Sequence, residues 1–180
     1  MRLERSKAAV LVVDVQERMV AAMDPSRMAR LVNRTRALIE GAQALGLPLI
    51  VTEQYTRGLG ATVAEVARAF PEGLRPVEKL EFSCAVPAVM EQLGGRLQVL
   101  LCGMEAHVCV FQTARDLLER GRVPYLCADA LLSRNEEDRR LGIERARELG
   151  AVVTTVEGAL FDLLGKAGTP EFKRISAAVR

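Results

Sequence analysis

The sequence predicts a single doubly wound α/β domain, in which a parallel sheet of about six strands carries helices on both faces. Short apolar runs recur along the chain, as expected for strands that are buried on both faces. Helical patterns of apolar residues separate these runs, which is the order found in parallel sheets with crossover helices. Because no fixed repeat and no linker divides the 180 residues, we expect one domain over residues 1–180.

The individual elements follow from this alternation. Continuous apolar runs predict strands at residues 8–13, 47–52, 97–103, 123–128 and 151–156. Apolar residues at every third or fourth position predict helices at residues 26–45, 62–69, 85–93, 109–120, 135–149 and 157–164. In the longest helix, Ser26 is the expected N-cap and Gly46 the expected end. We expect residues 157–164 to form the last helix.

Composition and charge exclude several classes of protein. A content of 49% hydrophobic and 27% charged residues is typical of a globular chain rather than a disordered one. No apolar run approaches the roughly 18 residues that span a bilayer. The net charge of +2, its scattered distribution and the lack of Trp predict neither nucleic-acid binding nor membrane binding. Since the first residues lack the pattern of an export signal, we expect a cytoplasmic protein.

Cysteine and histidine content limits the possible chemistry. The four cysteines, Cys84, Cys102, Cys109 and Cys127, lack paired CxxC spacing, so we expect free thiols rather than zinc ligands or disulfides. His107 is the single histidine of the chain, which argues against any site that needs several imidazoles. We therefore predict neither a metal nor another cofactor.

Ligands of open parallel sheets bind beyond the carboxyl ends of the strands. The residues predicted at these ends are Asp14, residues 53–56, Lys79, residues 103–109 and Asp129. Asp14 is either a general base or a capping or ion-pairing residue. Lys79 is one of only four lysines among 25 basic residues. Its compact ammonium suits a site shared with a carboxylate and a thiolate, although a solvated loop lysine is the alternative.

Cys109 follows a predicted strand, a glycine turn and the start of a helix. The amides and dipole at a helix N-terminus stabilise a thiolate, so the pattern predicts a lowered pKa for Cys109 and a role as nucleophile. Because free cysteines are commonly buried, a packing role stays open. Cys84, Cys102 and Cys127 lie in apolar contexts, and we expect them to be core residues.

The segments around Asp14, Lys79 and Cys109 resemble the isochorismatase-like cysteine hydrolases. The segments that carry this resemblance are residues 12–16 (VVDVQ), 77–79 (VEK), 82–83 (FS) and 102–110 (CGMEAHVCV). Residues 53–55 (EQY), 58–60 (GLG) and Thr62 are similar to the isochorismatase domain-containing proteins within that family. The resemblance extends over about residues 7–165, and it implies a Rossmann-like sheet with the strand order 3-2-1-4-5-6.

The resemblance also implies roles for individual residues. It implies that Asp14 is the general base, Lys79 the cation and Cys109 the nucleophile. It further implies a cis peptide bond between Met104 and Glu105, and an oxyanion hole formed by the amides of Glu105 and Cys109. The residues that flank this triad are candidates for the substrate pocket: Gln16, Gln54, Tyr55, Phe82 and His107. Association into a homodimer or homotetramer is implied as well.

The expected function is metal-independent hydrolysis of a small amide, ureide or related C–N substrate through a thioester-type intermediate. Nicotinamidase-like members carry an Asp and several His after the second strand, whereas residues 52–56 here are TEQYT. Members that cleave the vinyl ether of isochorismate lack the cysteine that this chain has. Two alternatives remain: a binding or scaffold protein, and a redox sensor in which Cys102 or another thiol resolves an oxidised Cys109.

Overall fold

All six strands form one parallel sheet in the computed structural model, which describes residues 2–180. The strands are β1 (Ala8–Val13), β2 (Leu49–Gln54), β3 (Val77–Lys79), β4 (Gln98–Met104), β5 (Val123–Leu132) and β6 (Val152–Thr154). Their order in the sheet is β3-β2-β1-β4-β5-β6, which confirms the predicted doubly wound fold. The strand order reverses between β1 and β4, and this is where ligands of such sheets bind.

Nine helices and one π-helical turn connect the strands within residues 2–180. The helices are α1 (Glu17–Val20), α2 (Pro25–Leu45), α3 (Thr56–Leu59), α4 (Ala64–Ala67), α5 (Pro87–Leu93), α6 (Phe111–Glu119), α7 (Glu136–Glu148), α8 (Val156–Leu164) and α9 (Pro170–Ala178). The π-helical turn is Ala106–Val110 and runs directly into α6. No helix within the described residues is long and apolar enough to cross a membrane.

Several predicted elements need correction. The one-turn helices α1 and α3 lie in segments predicted as loops, because four residues are too few to show a helical period. The predicted last helix, α8, is followed by α9, whose Thr169 cap and Pro170 start were overlooked signals. Strand β2 begins two residues later than predicted, since the amide of Leu47 still bonds to the end of α2.

The long helix α2 ends as predicted but begins differently. Gly46 adopts a left-handed conformation at its C-terminus, with φ of 65°. The prediction that Ser26 is the N-cap was wrong, because the side chain of Asp24 accepts the hydrogen bond from the amide of Arg27 at 3.0 Å. Ser26 instead donates its hydroxyl to Asp24 at 2.6 Å. A carboxylate two residues earlier therefore caps the helix.

The sheet separates two apolar cores. Alternate residues of β1 point to opposite faces, so Val10 and Val12 pack in the core under α2 and α8, whereas Leu11 and Val13 pack in the core under α5 and α6. All six residues of β1 are fully buried. The pairing places the end of β1 against Thr52 of β2, and the end of β2 against Lys79 of β3. Polar residues that follow these strands are thus gathered at one edge.

Candidate active site

Asp14 occupies the first position beyond β1 in a conformation that few non-glycine residues adopt. Its φ is 47°, in the left-handed region, which costs about 1–2 kcal/mol for a residue with a Cβ. The backbone is held there by two hydrogen bonds: the Asp14 amide donates to the carbonyl of Thr52 at 3.3 Å, and the Gln16 amide donates to the carbonyl of Asp14 at 3.0 Å. Strained backbone of this kind concentrates at functional sites.

The carboxylate of Asp14 is paired with Lys79 inside the protein. The ammonium of Lys79 donates to Oδ2 at 2.7 Å, and the two side chains are 0% and 1% exposed. The hydroxyl of Thr52 donates to the other oxygen, Oδ1, at 2.7 Å. Lys79 also donates to the carbonyls of Glu81 at 3.0 Å and Phe82 at 3.2 Å, so the protein fixes the ammonium from several sides.

The charge state of Lys79 follows from its neighbours. Burial acts to lower the pKa of the ammonium, but the facing Cys84 and Asp14 outweigh it, and the net pKa is raised above the usual value. Lys79 is therefore a cation at neutral pH. Removing either partner would leave an uncompensated group in the protein interior, so the pair acts as one unit.

Cys109 lies in the π-helical turn, beside the pair. Its thiol donates to Oε1 of Gln54 at 3.2 Å, and the charges of Asp14 and Lys79 act on it. Burial raises the pKa of Cys109 above its usual value, the charge of Asp14 raises it further, and Lys79 only partly opposes them. The prediction of a lowered pKa was therefore wrong. Cys109 lies within the helical turn rather than ahead of it, and burial dominates.

A second cysteine, Cys84, is connected to Asp14 and Cys109 by hydrogen bonds through two threonines. Sγ of Cys84 is 3.3 Å from the hydroxyl of Thr52, which itself bonds to Asp14. The amide of Cys84 donates to the hydroxyl of Thr113 at 2.8 Å, and that hydroxyl donates to the carbonyl of Cys109 at 2.6 Å. Burial raises the pKa of Cys84 to about 12. Cys84 is a core residue, as predicted, but it also belongs to the network that supports Asp14 and Cys109.

The turn before Cys109 contains the Met104–Glu105 peptide bond, which is cis. The carboxylate of Glu105 is buried and accepts hydrogen bonds from the amide and the Nε of Arg134, at 3.0 and 3.1 Å. The next amide, that of Ala106, donates to the hydroxyl of Ser133 at 3.1 Å. The turn is thus anchored from the segment after β5.

A cavity of about 310 Å³ opens beside Cys109. Its lining combines apolar side chains with two arginines, one carboxylate, one amide and the thiol: Arg18, Met19, Ala22, Met23, Gln54, Leu59, Phe82, Glu105, Val108, Cys109 and Arg134. Gln54 and Phe82, two of the pocket candidates from the sequence, are among these residues. Arg18 and Arg134 were not singled out from the sequence, since 21 arginines occur in the chain and neither follows an apolar strand directly.

The other three pocket candidates lie elsewhere. Gln16 is fully buried, and its amide bonds to the backbone of Gln54 and Gly60 at 2.7–2.9 Å, so it fixes a loop instead of facing the cavity. Tyr55 is 54% exposed and lines a different cavity, beside β3. His107 directs Nδ1 toward the hydroxyl of Ser133 at 3.0 Å.

Two further expectations concern the other face of the sheet. Asp129 lies inside β5 and not beyond its end, because this strand continues four residues past the predicted boundary. Cys102 packs in the core under α2, whereas Cys109 packs in the core under α6. The sheet therefore stands between Cys109 and the thiol that the redox-sensor hypothesis names as its partner.

Comparison with known proteins establishes the family. A family model described as the isochorismatase domain matches residues 8–158. The chain belongs to the isochorismatase-like hydrolase family. Isochorismatase domain-containing protein 2 from Bos taurus is 42% identical over 154 residues, which cover 84% of this chain and 74% of that protein. A secreted isochorismatase effector, Isc1, from Phytophthora sojae is 37% identical over 185 residues, which cover 99% of this chain and 87% of that protein.

Solved structures agree with this assignment. A protein described as MAR1 ribonuclease from Caenorhabditis elegans is 35% identical, with a TM-score of 0.94 over 99% of this chain and 92% of that one. YcaC from Escherichia coli, described as an octameric hydrolase of unknown specificity, shares the fold at 24% identity, with a TM-score of 0.80 over 99% of this chain and 87% of that one. Membership of this hydrolase family supports a hydrolase role for the chain.

Proposed function

We propose that this protein is a metal-independent cysteine hydrolase that cleaves a C–N bond in a small amide, ureide or related substrate. The observation that carries the proposal is the buried Asp14–Lys79 pair, joined at 2.7 Å, beside a thiol that lines a cavity. Cys109 is the nucleophile, Asp14 is the general acid and base, and Lys79 holds the carboxylate in its charged form.

The first half of the reaction forms a covalent intermediate. Asp14 takes the proton from Sγ of Cys109 as the sulfur attacks the substrate carbonyl carbon, so no thiolate needs to exist beforehand. The raised pKa of Cys109 fits this order of events, because the resting site keeps the proton on sulfur. The carbonyl oxygen becomes an oxyanion, and the amides of Glu105 and Cys109 donate hydrogen bonds to it. Asp14 then gives its proton to the leaving amine, and a thioester remains.

The second half regenerates the enzyme. Asp14 takes a proton from water as the water oxygen attacks the thioester carbon, and the carboxylic acid leaves when the C–S bond breaks. Asp14 returns the proton to sulfur. Amide and water are consumed, acid and amine are released, and each proton passes through Asp14. The side chain that the end of β2 supplies to the site, that of Gln54, is an amide, and the proposed cycle assigns no step to a metal ion.

The proposal is tested by turnover of a panel of small amides and ureides, with released ammonia as the readout. Cys109→Ser is expected to lower kcat by about 10³-fold or more, because an alcohol is a far weaker nucleophile in a site without a strong base. Cys127→Ala, which removes a buried thiol from the opposite core, is the matched control and is expected to keep the parent rate. Equal turnover by Cys109→Ser and the parent would overturn Cys109 as the nucleophile, whereas no turnover of any compound by the parent would favour the binding-protein alternative.

A ribonuclease activity is the second candidate, and the name of the Caenorhabditis elegans neighbour favours it. A cavity of about 310 Å³ is the size of a small-molecule site and not of a groove that holds several nucleotides. The same preparations, incubated with single-stranded RNA, separate the two candidates. Cleavage of RNA that depends on Cys109, with no turnover of any amide, would replace the amidase proposal.

Assembly and location complete the proposal. We place the protein in the cytoplasm as a homodimer or homotetramer that needs neither a membrane nor a nucleic acid. One neighbour is described as an octamer and one relative as a secreted effector, so both points need direct measurement. Light scattering of the purified chain gives the size of the assembly.

A further inference from the structure

The cavity is lined by more positive than negative side chains. Two guanidinium groups, of Arg18 and Arg134, line it together with one carboxylate, of Glu105. Nε of Arg134 forms an ion pair with Oε1 of Glu105 at 3.1 Å, the backbone amide of Arg134 donates to the same oxygen at 3.0 Å, and the pair is neutral as a unit. The Asp14–Lys79 pair behind Cys109 is likewise neutral as a unit. The cavity is left with one positive charge, on Arg18.

Arg18 is held in place without being neutralised. Its Nη1 donates to the carbonyls of Arg57 at 3.3 Å and Gly58 at 2.9 Å, so α3 and its flanking loop fix one corner of the guanidinium. No carboxylate within residues 2–180 forms an ion pair with it. The Nε and Nη2 edge of the guanidinium forms no hydrogen bond within residues 2–180. This edge presents two parallel N–H donors, the arrangement that a carboxylate accepts.

The rest of the lining is mainly apolar. Met19, Met23, Leu59, Phe82 and Val108 supply apolar side chains to it. A substrate that binds to both Cys109 and Arg18 therefore shares the cavity with these apolar side chains. The lining indicates three parts of such a substrate: a carbonyl at the thiol, a short hydrocarbon segment and an anion at the arginine.

We infer that the substrate is an acid: a small amide or ureide whose carboxylate binds the free edge of Arg18 while its scissile carbonyl lies at Cys109. This inference rests on the proposed function and narrows its substrate class. The single guanidinium edge matches the two oxygens of one carboxylate. Arg18 is then a specificity-determining residue, and neutral amides of the same length bind less well.

The experiment uses alkylating reagents, so that it does not depend on knowing the substrate. N-iodoacetyl derivatives of glycine, β-alanine and 4-aminobutyrate carry a carboxylate at three distances from the reactive carbon. Each is matched to an N-alkyl iodoacetamide of similar length without the charge. Alkylation of Cys109 is followed by mass spectrometry at one mildly alkaline pH and low salt, and each rate is divided by that of glutathione to remove intrinsic differences between the reagents.

In the parent protein, at least one acid is expected to alkylate Cys109 about fivefold faster than its neutral match, since an exposed ion pair supplies up to about 1 kcal/mol. Arg18→Gln is expected to abolish this preference, because the rates of the acids fall to those of their neutral matches measured on the same variant. Arg147→Gln changes an exposed arginine of α7 that does not line the cavity. This variant is expected to keep the preference for the acid reagents. Higher salt should weaken the preference in the parent.

Three outcomes count against the inference. An absence of preference at all three lengths, or a preference that survives in Arg18→Gln, overturns the acidic substrate and leaves the cysteine hydrolase intact. A drop in the neutral rates of Arg18→Gln equal to the drop in the acid rates assigns Arg18 a structural role and overturns it as well. If Cys109 reacts with no reagent and no amide is turned over, the proposed function itself fails.

Discussion

Two acids lie near pairs of cysteines, one in each half of the molecule: Asp14 is buried and Asp129 is partly buried. Asp14 neighbours Cys84 and Cys109, which belong to the core under α5 and α6. Asp129 neighbours Cys102 and Cys127, which belong to the core under α2 and α8. In both places burial raises the pKa of the thiols, and the nearby carboxylate raises it further. An acid beside a thiol therefore does not by itself define a site.

The two acids differ in what their oxygens contact. One oxygen of Asp129 accepts from the amide of Val156 at 2.8 Å, at the start of α8, and the other lies 3.6 Å from Nε of Arg34. Arg34 in turn donates to the carbonyl of Val179 at 3.0 Å. Asp129 thus ties together β5, α2, α8 and the end of the chain. Asp14 instead accepts hydrogen bonds from a lysine and from a threonine hydroxyl, and its charge acts on the thiol of Cys109.

The difference between the thiols is access. Cys109 lines a cavity, whereas Cys102 and Cys127 are fully buried in the core. Lys79 partly opposes the rise in pKa for both Cys84 and Cys109, and no cation does so for Cys102 or Cys127. A cation held by the fold and a path for the substrate, rather than acid or thiol alone, distinguish a candidate catalytic centre from structural packing.

The largest expected effect is on turnover. Asp14→Asn is expected to lower kcat by about 10³-fold or more, because no other group in the cycle carries the proton from sulfur to the leaving amine. Asp129→Asn is expected to leave kcat near the parent value and only to weaken the fold. Steady-state kinetics of both variants, with unfolding curves as the check on folding, make the comparison. Equal losses in the two variants would erase the distinction drawn between the two acids.

In the same pair of variants, alkylation of Cys109 is expected to change in the opposite direction to turnover. The charge of Asp14 raises the pKa of Cys109, so its removal is expected to shift iodoacetamide labelling of Cys109 to lower pH while amide turnover is lost. Asp129→Asn should not move that labelling profile. A labelling profile that moves to higher pH in Asp14→Asn would contradict the electrostatic account of the site.

The second effect is on stability. Lys79→Met leaves Asp14 buried without its cation and is expected to lower the free energy of unfolding by about 3–5 kcal/mol. Arg34→Met removes a longer and more exposed ion pair and is expected to cost about 1 kcal/mol. Urea unfolding of the two variants measures both values. Similar small losses would mean that Asp14 is solvated or neutral in the folded protein.

Much of this site is predictable from the sequence, and the reasons are local. Asp14 stands out because a charge directly follows an apolar strand, Lys79 because it is one of only four lysines among 25 basic residues, and Cys109 because a glycine turn precedes it. Thr52, which bonds to Asp14, is hidden inside an apolar strand pattern, and Arg18 lies in a helix of only four residues. The carboxyl ends of strands are visible in the sequence. Which loop side chains fold back over them depends on tertiary contacts.

The pKa of Cys109 also depends on tertiary contacts that the sequence does not reveal. Helix position is local and predicts a thiolate, whereas desolvation depends on every group packed around the sulfur. The same holds for Gln16, whose position beside Asp14 suggests the pocket although its amide is used entirely by the backbone of neighbouring loops.

The smallest expected effect concerns the buried thiols under alkaline conditions. Burial raises the pKa of Cys84 and of Cys102 to about 12, whereas an unfolded chain releases the same protons near a pKa of about 8.5. Above that pH the unfolded state binds fewer protons than the folded state, so the free energy of unfolding falls as pH rises, by up to about 1.4 kcal/mol per pH unit for each such thiol. Well below a pH of about 8.5 both states keep these protons, so the thiols do not make the free energy of unfolding depend on pH.

Cys102→Ala isolates one of these thiols, on the side of the sheet away from Cys109. The substitution costs some stability at every pH, but the slope of that stability between about pH 8.5 and pH 10 is expected to be shallower than in the parent by the share of one thiol. Urea unfolding at several pH values gives both slopes, and the upper limit stays below the range in which Lys79 titrates. Identical slopes would mean that Cys102 ionises inside the folded protein, and that the thiols near Asp129 are as ready to lose a proton as an exposed cysteine.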